Sequence, residues 1–179
     1  MTLMTAHPAA EQPCGTVSFL FSDVEGSTRL LRTLGSERYA EVLARHRLLL
    51  REAFAAHGGY EVDCEGDRFF VAFEAAVQAV GAAAEAQHAL DREAWPGAVE
   101  VRVRMGIHSG EPLLAPPKYV GLDVHRAARL TAAAHGGQVL VSQVTCDLFD
   151  AELPEGLALR ESSVSTGSKI LALRIGSTS

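Results

Sequence analysis

Hydrophobic positions in this chain switch repeatedly between a period of two and a period near 3.6, and each switch predicts an element. Thr16 to Ser22 is a run of β-branched and aromatic residues, which predicts a strand buried on both faces. Thr28 to Leu34 predicts a short helix. Ser36 suits the N-cap of a long helix to about His57, with Tyr39, Val42, Leu43, Leu49, Leu50 and Phe54 on its apolar side. Gly58-Gly59 ends it. Tyr60 to Cys64 and Phe69 to Phe73 predict a hairpin that turns at Glu65-Gly66-Asp67. Glu74 to about Asp91 is alanine-rich and helical, and Trp95-Pro96-Gly97 breaks it.

The second half repeats the alternation. Val99 to His108 predicts a strand with Val99, Val101, Val103 and Met105 on one face and Glu100, Arg102 and Arg104 on the other. A strand is expected around Glu111 to Ala115, stopped by Pro116-Pro117. Leu122 to Ala134 predicts a helix closed by Gly136-Gly137. Gln138 to Val141 predicts a short strand. Ser142 caps a helix to Phe149, and Leu157 to Arg160 and Ile170 to Arg174 are late strands. The order is β-α-α-β-β-α-β-β-α-β-α-β-β. Its heart, β-α-β-β-α-β, is the ferredoxin-like unit, so the expected class is α+β with additional C-terminal strands and helices.

The 179 residues suit one domain with a real core. Residues 1–14 read as a flexible N-terminal tail and 15–179 as a single domain. A formal net charge of −6 argues against nonspecific affinity for nucleic acid. Phosphate ligands then require a local set of arginines and lysines, or a metal. Cys14, Cys64 and Cys146 share no repeated spacing, which excludes a disulfide framework and a zinc site as the simplest readings. A reduced, cytoplasmic setting is expected. No stretch has the length of a membrane span, and Met1 to Pro13 lacks the pattern of a signal peptide.

Candidate chemistry concentrates at two turns. The first strand runs into Asp23 and then into Gly26-Ser27-Thr28 at the start of a helix. A carboxylate at a strand end suits a hard divalent ion, which takes few protein oxygens and several from phosphate or water. The first N–H groups of the helix offer a phosphate cradle. Asp67 sits in the same kind of place, before Arg68-Phe69-Phe70-Val71-Ala72-Phe73. A dinucleotide-binding G-x-G-x-x-G after the first strand and a Walker A Gly-Lys-Ser/Thr are both absent. Glu25 reads as a charge that favours the helix start.

Four segments in register resemble the catalytic domain of the class III nucleotidyl cyclases, in its bacterial type. They are Phe19-Leu20-Phe21-Ser22-Asp23-Val24-Glu25-Gly26-Ser27-Thr28, Glu65-Gly66-Asp67-Arg68-Phe69-Phe70, Arg104-Met105-Gly106-Ile107-His108-Ser109-Gly110, and Tyr119 to Leu130 with Asp123-Val124-His125-Arg126-Ala127-Ala128-Arg129 at its centre. The resemblance covers Thr16 to Ile175. It implies conversion of ATP to 3′,5′-cyclic AMP and pyrophosphate in a head-to-tail homodimer with composite sites, each using two Mg²⁺ or Mn²⁺ ions. Asp23, Asp67 and the backbone carbonyl of Val24 match the metal ligands. Gly26, Ser27 and Thr28 match the phosphate cradle, Arg104 an arginine that reaches the phosphates, and Arg129 the arginine that steadies the transition state. No nucleic-acid or membrane partner is implied.

The departures from the family pattern are specific. The purine-pocket lysine, four residues before the second metal aspartate, is Asp63 here, and its usual aspartate partner is Lys118. The pair is inverted. It reads either as a base-facing pair or as a structural salt bridge. His125 stands where an asparagine is expected, and either residue can donate a hydrogen bond. Lys169, after the short polar stretch from Ser162, stands near the family's phosphate-contacting lysine. An alternative reading is a degenerate cyclase-like domain that binds nucleotide or a partner without turnover. A guanylate cyclase is weaker, because the guanine-reading glutamate and small polar pair are missing.

Overall fold

The aliphatic run near the start of the chain becomes the strand from which the rest of the molecule is laid out. In the computed structural model, which describes residues 11–149, 153–162 and 169–176, this strand is β1, Val17–Val24. Helix α1 (Ser27–Ala56) follows, then β2 (Tyr60–Glu65), β3 (Arg68–Phe73), α2 (Ala76–Arg92) and β4 (Val103–Gly110). Next come the short hairpin β5 (Leu113–Ala115) and β6 (Lys118–Val120), then α3 (Leu122–Ala133), β7 (Val139–Ser142), α4 (Gln143–Cys146), β8 (Leu157–Glu161) and β9 (Ile170–Ile175).

The main sheet has the order β2-β3-β1-β4-β7-β9-β8. Its first four strands are antiparallel neighbours and form the ferredoxin-like unit. β7 joins β4 in parallel, as a strand returning after helix α3. The fold class is therefore α+β, as the sequence predicts.

Alternation along the strands divides the core. Leu20, Val24, Val71, Phe73, Val103, Met105 and Ile107 pack with α1 and α2 on one face. Val17, Phe19, Phe70 and Ala72 pack with Tyr119 and Ala127 on the other, beneath α3. The alanine-rich α2 lies close to the sheet, with Ala79, Ala82, Ala83 and Ala86 fully buried. Among the described residues no helix is long and apolar enough to cross a membrane.

Several boundaries differ from expectation. β1 runs two residues past Ser22 because Asp23 and Val24 stay in the ladder, opposite Arg104 and Val103. β4 begins at Val103 rather than Val99, since β1 ends there; the carbonyl of Arg102 instead accepts the Glu25 N–H at 2.8 Å. The two predicted N-terminal helices merge into α1, with Gly35 non-helical at the join (φ 76°, ψ 167°). β6 was not predicted; it pairs with β5 across Pro116-Pro117. α4 ends at Cys146 rather than Phe149, and Ser142 caps it by accepting the Thr145 N–H. Of the expected tail, residues 1–10 lie outside the described residues. Pro13 is buried, and its carbonyl accepts the Tyr119 hydroxyl at 2.6 Å.

Candidate active site

The antiparallel register of β1 and β4 sets Asp23 directly opposite Arg104. The Nε of Arg104 donates to Asp23 Oδ2 at 3.0 Å, and its Nη2 makes a still shorter contact with the same oxygen. Arg68, which opens β3 just after the β2–β3 turn, approaches Asp23 Oδ1 at 3.4 Å. Asp67 comes from the turn itself. Its Oδ2 accepts the Val24 N–H at 3.2 Å, which brings the second carboxylate to the end of β1. Gly26 takes a left-handed conformation (φ 68°) and its carbonyl starts α1 by accepting from Arg29 and Leu30. Ser27 and Thr28 thus open the helix just beyond the two aspartates.

Asp23, Arg104 and Arg68 line a cleft of about 420 Å³ together with Phe21, Phe70 and Asp63 and, from α3, Ala128, Thr131 and Ala132. Tyr39, which the sequence places only on an apolar helix face, lies near both carboxylates. Burial first, and then the Asp67 charge, push its phenol above the ordinary tyrosine range, against a hydrogen bond with Ser27. Hard oxygen donors that are only partly buried and converge on one strand end fit a divalent ion whose shell is completed by phosphate. Among the described residues no three His, Cys, Asp or Glu side chains gather to hold a metal by themselves.

Asp63 and Lys118 do meet. Lys118 Nζ donates to Asp63 Oδ2 at 2.8 Å within one chain, from β6 to β2. The Lys118 hydrogen bond lowers the Asp63 carboxyl below the carboxylate range, and Asp63 raises the Lys118 amine. Both side chains are well exposed, so the pair is open to salt and to a ligand.

A second cleft, of about 390 Å³, is lined by Arg126, Arg129, Lys169, Gln143, Ser142 and His108. Arg129 is exposed on α3 and makes no ion pair among the described residues; His125, one turn earlier, is also exposed. Lys169 is tied to Glu161 at 2.7 Å. The polar stretch expected before it lies outside the described residues from 163 to 168. Within one chain, then, Asp23 and Arg129 open onto different clefts.

Two groups carry roles that sequence reasoning missed. Glu25 staples the loop after α3: its Oε1 accepts the Gly136 N–H at 3.0 Å. His108, which carries no metal-like spacing, is buried with both ring nitrogens engaged, by Ser142 at 2.8 Å and Asp123 at 3.0 Å. The available signal was Gly106-Ile107-His108-Ser109-Gly110, whose alternate residues share one strand face.

With that geometry in view, similarity to known proteins is informative. Residues 9–169 match the family described as the adenylate and guanylate cyclase catalytic domain. An uncharacterised protein of Mycobacterium tuberculosis is 38% identical over 144 residues, covering 79% of this chain and 48% of its own length. The chain therefore spans about half the length of the mycobacterial relatives it matches. An adenylate cyclase of Mycosarcoma maydis is 36% identical over 156 residues, or 73% of this chain and 6% of the fungal protein. Among solved structures, an adenylate cyclase of Trypanosoma brucei in its monomeric state superposes with a TM-score of 0.80 at 23% identity, covering 92% of this chain and 90% of that one.

Proposed function

The chain belongs to the family of adenylate and guanylate cyclase catalytic domains, and on that premise we propose that it is an adenylate cyclase acting as a head-to-tail homodimer. Residues 15–179 form its catalytic unit. The observation that carries this reading is the separation of Asp23 from Arg129 into different clefts of one chain. Each chain offers two half-sites, and a two-fold arrangement joins the carboxylates of one to the guanidinium of the other.

In the proposed reaction the ATP 3′-oxygen bonds to the α-phosphorus, and the α–β bridging oxygen leaves with the bond pair as pyrophosphate. The 3′-hydroxyl proton is released. Asp23, Asp67 and the Val24 carbonyl would hold two Mg²⁺ or Mn²⁺ ions, which as Lewis acids acidify the hydroxyl and neutralise the leaving group. The N–H groups of Gly26, Ser27 and Thr28 cradle phosphate oxygens. Arg104 turns from Asp23 to the phosphates. Arg129 spreads its planar fork over the charge that develops on the transferred phosphoryl group. Lys118 and Asp63 present a donor and an acceptor to the adenine edge, and His125 donates to the ribose.

The test is turnover of purified protein with ATP and with GTP, in Mg²⁺ and in Mn²⁺, resolving 3′,5′-cyclic products. Cyclic AMP is expected. Cyclic GMP in excess of cyclic AMP would overturn the base assignment. ATP binding with no cyclic product would favour a nucleotide-binding domain without turnover, a reading that rests on His125 replacing the family's asparagine.

A further inference from the structure

Helix α3 carries Arg129 and His125, yet no backbone ladder fixes it to the sheet. Its seat is the face of β4 on which Gly106, His108 and Gly110 alternate. A β-carbon added at Gly106 would collide with the backbone of Thr131 near the end of α3, and one at Gly110 would collide with the Asp123 carboxylate at its start. Between the two glycines, His108 is the side chain that fills the gap. Its own side chain is 5% exposed.

The contacts of His108 have a direction. Asp123 also receives Arg126 at 2.9 Å, and His108 and Arg126 together hold its carboxyl below the ordinary range despite burial, which acts the other way. An ionised carboxylate only accepts, so the Nε2–H of His108 donates to it. Nδ1 shares a hydrogen bond with the Ser142 hydroxyl at the end of β7. The chain continues inward: Ser142 to Thr145 at 3.0 Å, Thr145 to Ser109 at 3.0 Å, and Ser109 to Ser18 of β1 at 2.7 Å. Every polar side chain of this series except Asp123 is buried. A satisfied buried network of this kind specifies one geometry, because any other leaves a polar group unpaired.

We infer that His108 and Asp123 are positioning residues for the proposed cyclisation: through a hydrogen-bond chain anchored in β1, β4 and β7 they fix the N-terminal turn of α3 and so aim His125 and Arg129. The inference rests on the proposed function for its kinetic consequence, but its structural part stands alone. Neither residue reaches the substrate. Their loss misplaces groups that do, and such misplacement costs on the order of 100-fold in rate.

The experiment compares His108→Leu, His108→Gln and Asp123→Ala in the full chain, reading kcat and KM for ATP together with amide hydrogen exchange. Glutamine keeps a donor that reaches Asp123; leucine keeps only volume. Expected for His108→Leu and Asp123→Ala is a fall in kcat of about 10- to 100-fold with KM held within about threefold. Exchange at amides 122–129 should quicken at least tenfold while the centre of β1 stays protected. His108→Gln should restore most of both. Equal behaviour of the leucine and glutamine variants would reduce His108 to a space filler and overturn the inference. So would unchanged exchange in Asp123→Ala, whose partly exposed site keeps the test available should His108→Leu fail to fold. If wild type yields no cyclic product, the proposed function fails, and the exchange data still decide whether His108 and Asp123 fix the first turn of α3.

Discussion

Behind the carboxylate cleft lies a buried histidine with no hydrogen-bond partner among the described residues, whereas the cationic cleft is lined by one with two. His46 of α1 is fully buried against Phe69, which lines the carboxylate cleft, and among the described residues neither ring nitrogen has a hydrogen bond. His108 is nearly as buried and is fully satisfied. The difference follows from how each cleft is built. Asp23 and Arg104 are set by ladder register, and Asp67 by a backbone N–H, so the carboxylates are placed without help from His46. The helix that holds Arg129 has no ladder, and side-chain hydrogen bonds must do that work. A site borne on strands tolerates a poor base; one borne on a helix needs polar pins.

The largest expected effect breaks the comparison at its root, by asking whether the two clefts serve one site. Asp23→Ala should reduce turnover to background, and Arg129→Ala should cost at least about 10²- to 10³-fold, the range for losing one donor to a charged transition state. Circular dichroism should show both variants folded. Mixed in equal amounts, they should recover about a quarter of wild-type specific activity, because half the dimers then hold one intact site. A mixture as inactive as its components would mean that the clefts are not shared between chains.

The next effect sharpens the contrast between the histidines. Burial first, and the Arg47 charge second, lower the His46 pKa to about 4 from 6.5. A neutral buried ring that must charge on unfolding supports the fold above pH 6.5, and this support is lost as pH falls toward 4. From pH 7.5 to 5 the loss amounts to about 2 kcal/mol. Urea melts at the two pH values should show that difference between wild type and His46→Leu, with the variant the less acid-sensitive. Parallel losses in both proteins would place the acid sensitivity elsewhere.

Much of this arrangement was readable before any coordinates. Apolar runs in β1 and β3, alternation in β4, and the glycine pairs that end helices follow from local chain chemistry, so these strands and the turn that carries Asp67 fell where expected, with Asp23 inside β1 and not beyond it. What was not readable needed distance. Asp63 and Lys118 meet only because β6, a three-residue strand too short to show a period, folds back over β2. His108 and Asp123 are separated by the β5–β6 hairpin, and no spacing rule joins a strand residue to a helix residue across such an excursion. β4 started late because its partner ended, which is a property of β1 and not of residues 99–102.

Smaller effects concern the side chains that depart from the family pattern. His125→Asn should raise kcat for ATP several-fold, with a lesser change in KM, since the smaller amide donates without crowding the ribose. An unchanged kcat would set His125 outside the chemistry and leave Arg129 as the functional tip of α3. The least effect is expected from exchanging the exposed pair. Asp63→Lys and Lys118→Asp should each lower ATP turnover a few-fold by placing like charges together, and the double exchange should recover it. Additive losses would remove the pair from a common base pocket.

The glycines beneath α3 have a consequence for inherited variation. Alanine is ordinarily the mildest replacement a protein meets, and it is one nucleotide away from every glycine codon. At Gly110 the added methyl would fall on the Asp123 carboxylate, and at Gly106 on the backbone of Thr131. Such alleles would leave every charged group in the gene untouched and still unseat the helix that bears Arg129. In a population of sequences these two positions should be as intolerant as the aspartates themselves, for a reason of space alone.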